Sequence, residues 1–341
     1  MSNVYNPHLS SSFLLFPDEE SIKYGSAVIK GNKAWDDVKI SEGLGLDQMS
    51  IFLIKEQQGF YSFIDGILGM ARKSSTQFPE PLIMDMLKNK GQISERVFSV
   101  LMLGTEEPGT LEIGGFSIDH ARTPLVWLSL NESLYWMTTV DGFRIGNSDP
   151  EPTREGMTTR SYSALFDTGT SLTLLPQSIG TKVISQILAG KRFISKGGYY
   201  GVPCDKSLYQ SLFLRTIDGY LLEIHPDYYI LEDLYDPELC ALGISIHSGD
   251  YFILQVYDME NGGRLGLAPH HKSSVQDIEV LVNSFEPTSF DMFRSQGNWV
   301  VGTLMKYAYP IYQLTILGSL NTMTTYAAGM VVLLYYSIFS S

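Results

Sequence analysis

The run Ala164-Leu165-Phe166-Asp167-Thr168-Gly169-Thr170-Ser171-Leu172-Thr173 constrains this chain more than any other stretch. Three apolar residues lead directly into Asp-Thr-Gly, and a second short run follows. A buried strand that delivers a carboxylate at a tight turn reads this way. Gly169 opens backbone conformations that a side chain would close. Thr168, Thr170 and Ser171 supply hydroxyls that can hold the carboxylate. A plain glycine turn carrying a solvated Asp fits the bare triplet equally well, so spacing alone leaves both readings open.

The remaining chemistry narrows the class. With 341 residues the chain has room for two ordinary domains or one large one, and 44% hydrophobic residues can fill a real core. A formal charge of -13 argues against a nucleic-acid partner. It also suits work at low pH, where carboxylates begin to protonate and self-repulsion falls. The 31 Gly and 12% aromatic residues lean towards β structure with many turns. Cys204 and Cys240 are the two cysteines, and two cysteines alone do not separate an oxidising from a reducing compartment. The opening Met1-Ser2-Asn3-Val4-Tyr5-Asn6-Pro7 has neither the basic start nor the apolar run of a signal peptide. Nothing at ligand spacing joins His270-His271, which reads as a solvated pair.

Along the chain, residues 1–20 read as a polar loop with Pro7, Pro17 and a Ser10-Ser11-Ser12 run. Ser21 to Ile40 alternates like a hairpin turning near Gly25. Phe63 to Ala71 reads as a core strand broken by Gly66 and Gly69. Pro81 to Lys90 has apolar residues at helical spacing with Gly91 just beyond, a short amphipathic helix with a glycine stop. Val97 to Leu103 and Leu111 to Gly115 read as strands around a hairpin turn. Asn131-Glu132-Ser133 is a glycosylation sequon. Residues 146–158 read as a surface loop. After Pro176, Ile179, Val183, Ile184, Ile187 and Leu188 recur at helical spacing up to Gly190. Residues 272–306 read as a polar linker. Residues 307–341 carry no charge and include the apolar block from Ala327 to Tyr336. That block approaches a spanning helix only if Thr324 and Thr325 are admitted. A cleaved lipid-anchor signal near Gly318 and Ser319, or a buried terminal helix, are the other readings.

Taken as a longer string, hydrophobic-Asp-Thr-Gly-Thr-Ser-Leu resembles the active-site strand in the second lobe of pepsin-like aspartic proteases. Other landmarks follow in that family's order: Asn6-Pro7 with Ser10 to Phe13, Tyr24-Gly25-Ser26, Phe63-Ile64-Asp65-Gly66-Ile67-Leu68-Gly69, Leu111 to Gly115, Tyr135-Trp136, Ala241-Leu242-Gly243 and Arg264 to Pro269. The resemblance implies a mainly β, bilobal acid-protease fold, with the first lobe truncated at its N-terminus. It implies a partial N-terminal lobe with a flap over 1–122, a C-terminal lobe over 123–270, a linker over 271–306 and a possible membrane anchor over 307–341. Asp167 matches the catalytic carboxylate, and the resemblance implies no metal or organic cofactor. Thr168 and Gly169 would shape its loop, and Thr170 and Ser171 would hold the carboxylate or the substrate backbone. Tyr24 matches the flap tyrosine that contacts substrate, although Ala27 stands where the flap usually has Gly. The resemblance also implies a Cys204–Cys240 disulfide, which points to the secretory pathway.

The family's chemistry uses two Asp-Thr-Gly loops, and this sequence has one. Asp18, Glu19 and Glu20 lack the glycine turn and are poor replacements. The expected activity is aspartic-type endopeptidase cleavage, beside hydrophobic residues and at acidic pH, with this chain incomplete or inactive as it stands. The alternative is a non-catalytic peptide-binding pseudo-protease. The expected partner is a peptide or protein substrate, with possible membrane association through the C-terminal segment and a monomeric state. The expected location is the secretory pathway: membrane-anchored, lysosomal, vacuolar or extracellular.

Overall fold

Strands dominate the molecule. The computed structural model describes residues 5–23, 28–58, 66–72, 81–101, 109–131, 135–146, 151–152, 162–168, 173–175, 177–196, 199–232, 239–245, 253–260, 263–270, 279–280 and 312–315. Five sheets organise these residues.

A three-stranded antiparallel sheet opens the chain, with strands Leu14–Lys23, Val28–Ser41 and Leu44–Gln58. The expected hairpin is present, since Lys23 pairs with Val28 across its tip. The expected loop over residues 1–20 ends earlier than composition suggests, because Leu14 already pairs with Trp35. Pro17, which cannot donate to a ladder, sits where the register shifts between Leu15 and Glu19. The Asn32 amide fills that gap, donating to the carbonyls of Phe16, Pro17 and Asp18 at 3.1, 3.0 and 3.0 Å. Glu19 and Glu20 therefore lie on a strand, where they pair with Lys55 and Lys33 at 3.7 and 3.6 Å.

A six-stranded antiparallel sheet lies at the centre. Its order is Tyr312–Thr315, Thr110–Ile113, Val97–Leu101, Ile253–Asp258, Arg264–Pro269 and Val126–Ser129. Part of the uncharged C-terminal segment thus forms a strand on the edge of this sheet. Among the described residues no helix is long and apolar enough to cross a membrane. Helix α1 (Ile83–Asn89) buries Ile83, Met84 and Leu87 against one face of the sheet. Its end is set by Gly91 at φ 69°: Gly91 N–H donates to the Lys88 carbonyl at 2.9 Å and Gln92 N–H to that of Leu87 at 3.0 Å. Residues 66–71 form no strand, contrary to the expected core strand; Phe63 to Asp65 lie outside the described residues.

The second large sheet runs Glu279–Val280, Tyr220–Ile224, Leu212–Thr216 and Met137–Ile145. On the far side of Met137–Ile145 lie both Glu151–Pro152 and Tyr162–Leu165. A four-stranded sheet of Ile194–Lys196, Tyr199–Val202, Cys240–Leu242 and Ile230–Glu232 adjoins helix α2 (Gln177–Leu188). Val183, Ile184, Ile187 and Leu188 fill a second core cluster with Tyr229 and Leu242, which is the apolar face the spacing implied. A Cys204–Cys240 disulfide closes the region, as the family resemblance implied. His270 corrects an expectation: it is 2% exposed and stacked on His120 with ring centroids 5.9 Å apart. Its backbone bridges Ala121, so it closes the central sheet, while His271 lies outside the described residues.

Candidate active site around Asp167

Asp167 is positioned by pairing on both sides of its loop. Tyr162–Leu165 runs antiparallel to Met137–Ile145, with Leu165 opposite Met137 and Ser163 opposite Thr139. The ladder continues one residue further, because Phe166 N–H donates to the Trp136 carbonyl at 2.9 Å. Asp167 is the first residue beyond it. It is half-buried, and Thr168 beside it is buried. Past the loop, Thr173–Leu174 pairs parallel with Ile244–Ser245. Thr173 N–H donates to the Gly243 carbonyl at 2.8 Å, and Gly243 N–H to that of Tyr229 at 2.7 Å. The loop therefore begins and ends on separate anchors. The crossing at Gly243 is tight: a Cβ there would lie 2.9 Å from Leu231 Cδ1 and 3.3 Å from Tyr229 Cα.

Trp136 ties this loop to the earlier part of the chain. Its carbonyl holds Phe166, while its indole N–H donates to the Met70 carbonyl at 2.9 Å. The side chain is fully buried. Asn131 adds a second tie with all four of its polar groups. Its N–H donates to the Met137 carbonyl at 2.8 Å and its carbonyl accepts from Arg72 Nη1 at 2.6 Å. Its Oδ1 accepts from Thr139 Oγ1 at 2.8 Å and its Nδ2 donates to Ser163 Oγ at 3.0 Å. The asparagine of the sequon is thus fastened to the strand that delivers Asp167.

An aromatic wedge stands behind the loop. Tyr257 stacks on Phe98 at 4.5 Å, and both meet Trp136 edge-on, at 4.9 and 5.7 Å. Tyr257 is 0% exposed. Burial first, and then the charge of Asp167, push its phenol well above the ordinary value of 10.

Tyr24, Gly169, Thr170 and Ser171 lie outside the described residues, so the structure places Asp167 and Thr168 of the expected site and leaves the others aside. Sequence reasoning did not find Trp136, Asn131 or Tyr257 as partners of the loop. Trp136 and Tyr257 each carry a polar group in a buried aromatic setting, and Asn131 sits among polar partners; both signals become informative only once the strand pairing is known. Among the described residues no group of three or more His, Cys, Asp or Glu gathers as a metal site.

A second polar node supports the opening hairpin. Asp36 is 3% exposed and accepts from Ser10 Oγ and Ser12 Oγ at 2.6 Å each, from Asp37 N–H at 2.8 Å, and from the Tyr5 hydroxyl. These donors, with Ser10 and Ser12 contributing most, hold its carboxyl far below the usual carboxylate range.

Comparisons with known proteins agree with this architecture. The eukaryotic aspartyl protease family matches residues 1–269. Pepsin-3 of Oryctolagus cuniculus is 30% identical over 291 residues, spanning 78% of this chain and 70% of that protein. Pepsin A of Sus scrofa is 29% identical over 291 residues with the same coverage. The pregnancy-associated glycoprotein of Equus caballus is 27% identical over 288 residues, again spanning 78% of this chain and 70% of its own length. The crystal structure of an aspartic proteinase from Irpex lacteus superposes with a TM-score of 0.64 at 21% identity, covering 77% of this chain and 84% of that one. That structure speaks for the fold, and the sequence matches speak for descent. A strand-delivered Asp-Thr-Gly in a mainly β molecule, matched in this way over most of its length, makes the chain a member of the eukaryotic aspartyl protease family, of the pepsin-like kind.

Proposed function

We propose that the chain is an aspartic-type endopeptidase whose own share of the chemistry is the Asp167 carboxylate. The observation that carries this reading is the double anchoring of the Asp167 loop, through Phe166 on one side and Thr173 on the other. Peptide hydrolysis by carboxylates needs two of them sharing one proton, because like charges at close range do not both ionise. The ionised member takes a proton from the attacking water, and the protonated member hydrogen-bonds the scissile carbonyl. Asp167 is one of the two. This sequence supplies that member on its single Asp-Thr-Gly. Thr168 and Gly169 shape the loop, Thr170 and Ser171 hold the carboxylate or the peptide backbone, and Tyr24 covers the peptide. The substrate is a peptide or protein, cut beside hydrophobic residues at acidic pH. Residues 1–122 and 123–270 act as the two lobes, and the protein works as a monomer in the secretory pathway, where its disulfide is stable. Residues 307–341 associate with the membrane through the apolar block from Ala327 to Tyr336, beyond the edge strand Tyr312–Thr315.

The single Asp-Thr-Gly favours a second reading, a peptide-binding relative without catalysis. Hydrolysis of peptides by the purified chain between pH 3 and 7, with a transition-state-mimicking inhibitor and beside Asp167→Ala, separates the two. Inhibitable cleavage lost in the variant supports the peptidase. Inhibitor binding without cleavage supports the binding protein. Neither cleavage nor binding overturns both.

A further inference from the structure

Thr110–Ile113 would make a costly edge for the central sheet. Leu111, Glu112 and Ile113 are buried, and the backbone groups that point away from Val97–Leu101 need partners of their own. Those partners come from the far end of the chain. Tyr312 stands opposite Ile113, Gln313 opposite Glu112, Leu314 opposite Leu111 and Thr315 opposite Thr110. Residue types match across three strands. One row reads Phe98, Ile113, Tyr312, the next Ser99, Glu112, Gln313, and the third Val100, Leu111, Leu314. A slip of one residue would set Gln313 in an apolar row and lose all three matches, so the pattern specifies this register.

The same strand reaches a second element. It comes into contact range of Val28–Ser41, the middle strand of the opening sheet. Among the described residues that sheet shares no ladder with the central one. Its Gly43 end is held by Leu44 and Leu46, which enter the core beside α1, and by Gln92 Oε1, which accepts from Gly45 N–H at 3.1 Å. We propose that Tyr312–Thr315 is a strap: the chain's own C-terminal segment docks by strand addition on the Thr110–Ile113 edge and from there restrains the opening sheet. The docking surface is the sheet edge itself. The ligand it takes is an uncharged, extended segment in which apolar and polar residues alternate. Release of the strap gives the outward backbone groups of Thr110–Ile113 to water and loosens Val28–Ser41 with them. This role goes beyond the peptidase reading and does not depend on it.

Amide hydrogen exchange of the full chain, followed by mass spectrometry, tests the strap without any need for activity. Successive N–H groups of a strand point to opposite sides, so either Gln313→Pro or Leu314→Pro removes a donor aimed at Thr110–Ile113, and both distort the strand. These variants should speed exchange over residues 110–113 by about tenfold or more, and exchange over 28–41 should rise with it. Asn321→Pro, in the same segment beyond the strand, should change neither. Unchanged exchange over 110–113 in both strand variants would overturn the docking. Faster exchange there with 28–41 unmoved would overturn the strap, and an equal effect of Asn321→Pro would overturn both. Should the strand variants fail to fold, Thr110→Cys combined with Thr315→Cys decides. Oxidation should join these opposite positions and slow exchange over 28–41. No cross-link, or a cross-link that leaves 28–41 unmoved, overturns the proposal.

Discussion

At the residue scale, buried carboxylates in this protein reveal their role through their donors. Asp36 falls in the buried phase of the strand Val28–Ser41, alongside Asn32 and Ala34. An acidic residue at such a position is stable only if its oxygens are fully used. Two serines, a tyrosine and a backbone N–H meet that demand, which fastens residues 5–12 to the hairpin. Because its folded pKa lies below the unfolded value of about 4, Asp36 contributes stability above that pH, and the contribution fades as pH falls further. Asp36→Asn puts an amide among donors that need an acceptor. It should lower the melting temperature by several degrees at pH 7, and the gap to the wild type should narrow at pH 3. Thermal melts at the two pH values test this; an equal gap at both would show that the charge is not what holds the node. The Ser10-Ser11-Ser12 run was visible in the sequence, but its partner was not. Only strand pairing brings Asp36 to residues that lie 24 to 31 positions earlier in the chain.

At the element scale, two crossings decide whether the site holds its shape. Gly243 passes between Tyr229 and Thr173, and a methyl group there meets both Leu231 and the backbone of Tyr229. Gly243→Ala should cost about 1–3 kcal/mol, as overpacking in a tight interior does. It should also weaken inhibitor binding more than the stability loss explains, because the strand after Asp167 is displaced; urea titration and binding together read the two effects. Helix α1 offers the second case. Glu260 accepts from Lys88 at 2.5 Å and from Arg96 at 3.2 Å, while Arg96 also donates to Asp85 at 2.9 Å. Arg96 first and Lys88 next lower the Glu260 carboxyl to about 2. The network therefore contributes at pH 5 and above and is lost as pH falls towards that value. It is partly solvated, so Glu260→Gln should cost only about 1 kcal/mol. The loss should appear as faster amide exchange in α1 at pH 6 and should nearly vanish at pH 2. Helices and the hairpin were legible in the sequence because period and glycine stops are local signals. The strand Leu14–Lys23 was not, because Pro17 and the acidic run disguise it and the compensating Asn32 lies on another strand. Likewise, the motif at Asp167 was plain, while Trp136 and Tyr257 became partners only through registers set 30 to 90 residues away.

At the scale of the whole molecule, the sheet carrying Asp167 and the disulfide loop depend on each other. Met137–Ile145, the strand that aligns Tyr162–Leu165, is held on its other edge by Leu212–Thr216. That strand and its neighbour Tyr220–Ile224 both lie between Cys204 and Cys240, a sequence separation of 36. The same segment contributes Tyr209, Leu212, Ile224, Tyr229 and Ile230 to the second core cluster. Opening the bridge frees a long loop in the unfolded chain, which on the chain-entropy account costs about 4 kcal/mol. A bridge at the periphery would lower stability and leave the active-site sheet ordered. A bridge in this position instead encloses the strands that hold the Asp167 strand in register, so stability and site should fail together. Replacing both cysteines by serine should lower the urea midpoint by an amount equivalent to about 4 kcal/mol. Binding of a transition-state-mimicking inhibitor should be lost over the same urea range as the β-sheet circular dichroism, in the variant as in the wild type. Loss of binding well before the loss of sheet signal would mean that the Asp167 loop unfolds independently of the disulfide-bounded sheet. The coupling drawn here between bridge, strand register and carboxylate would then be wrong.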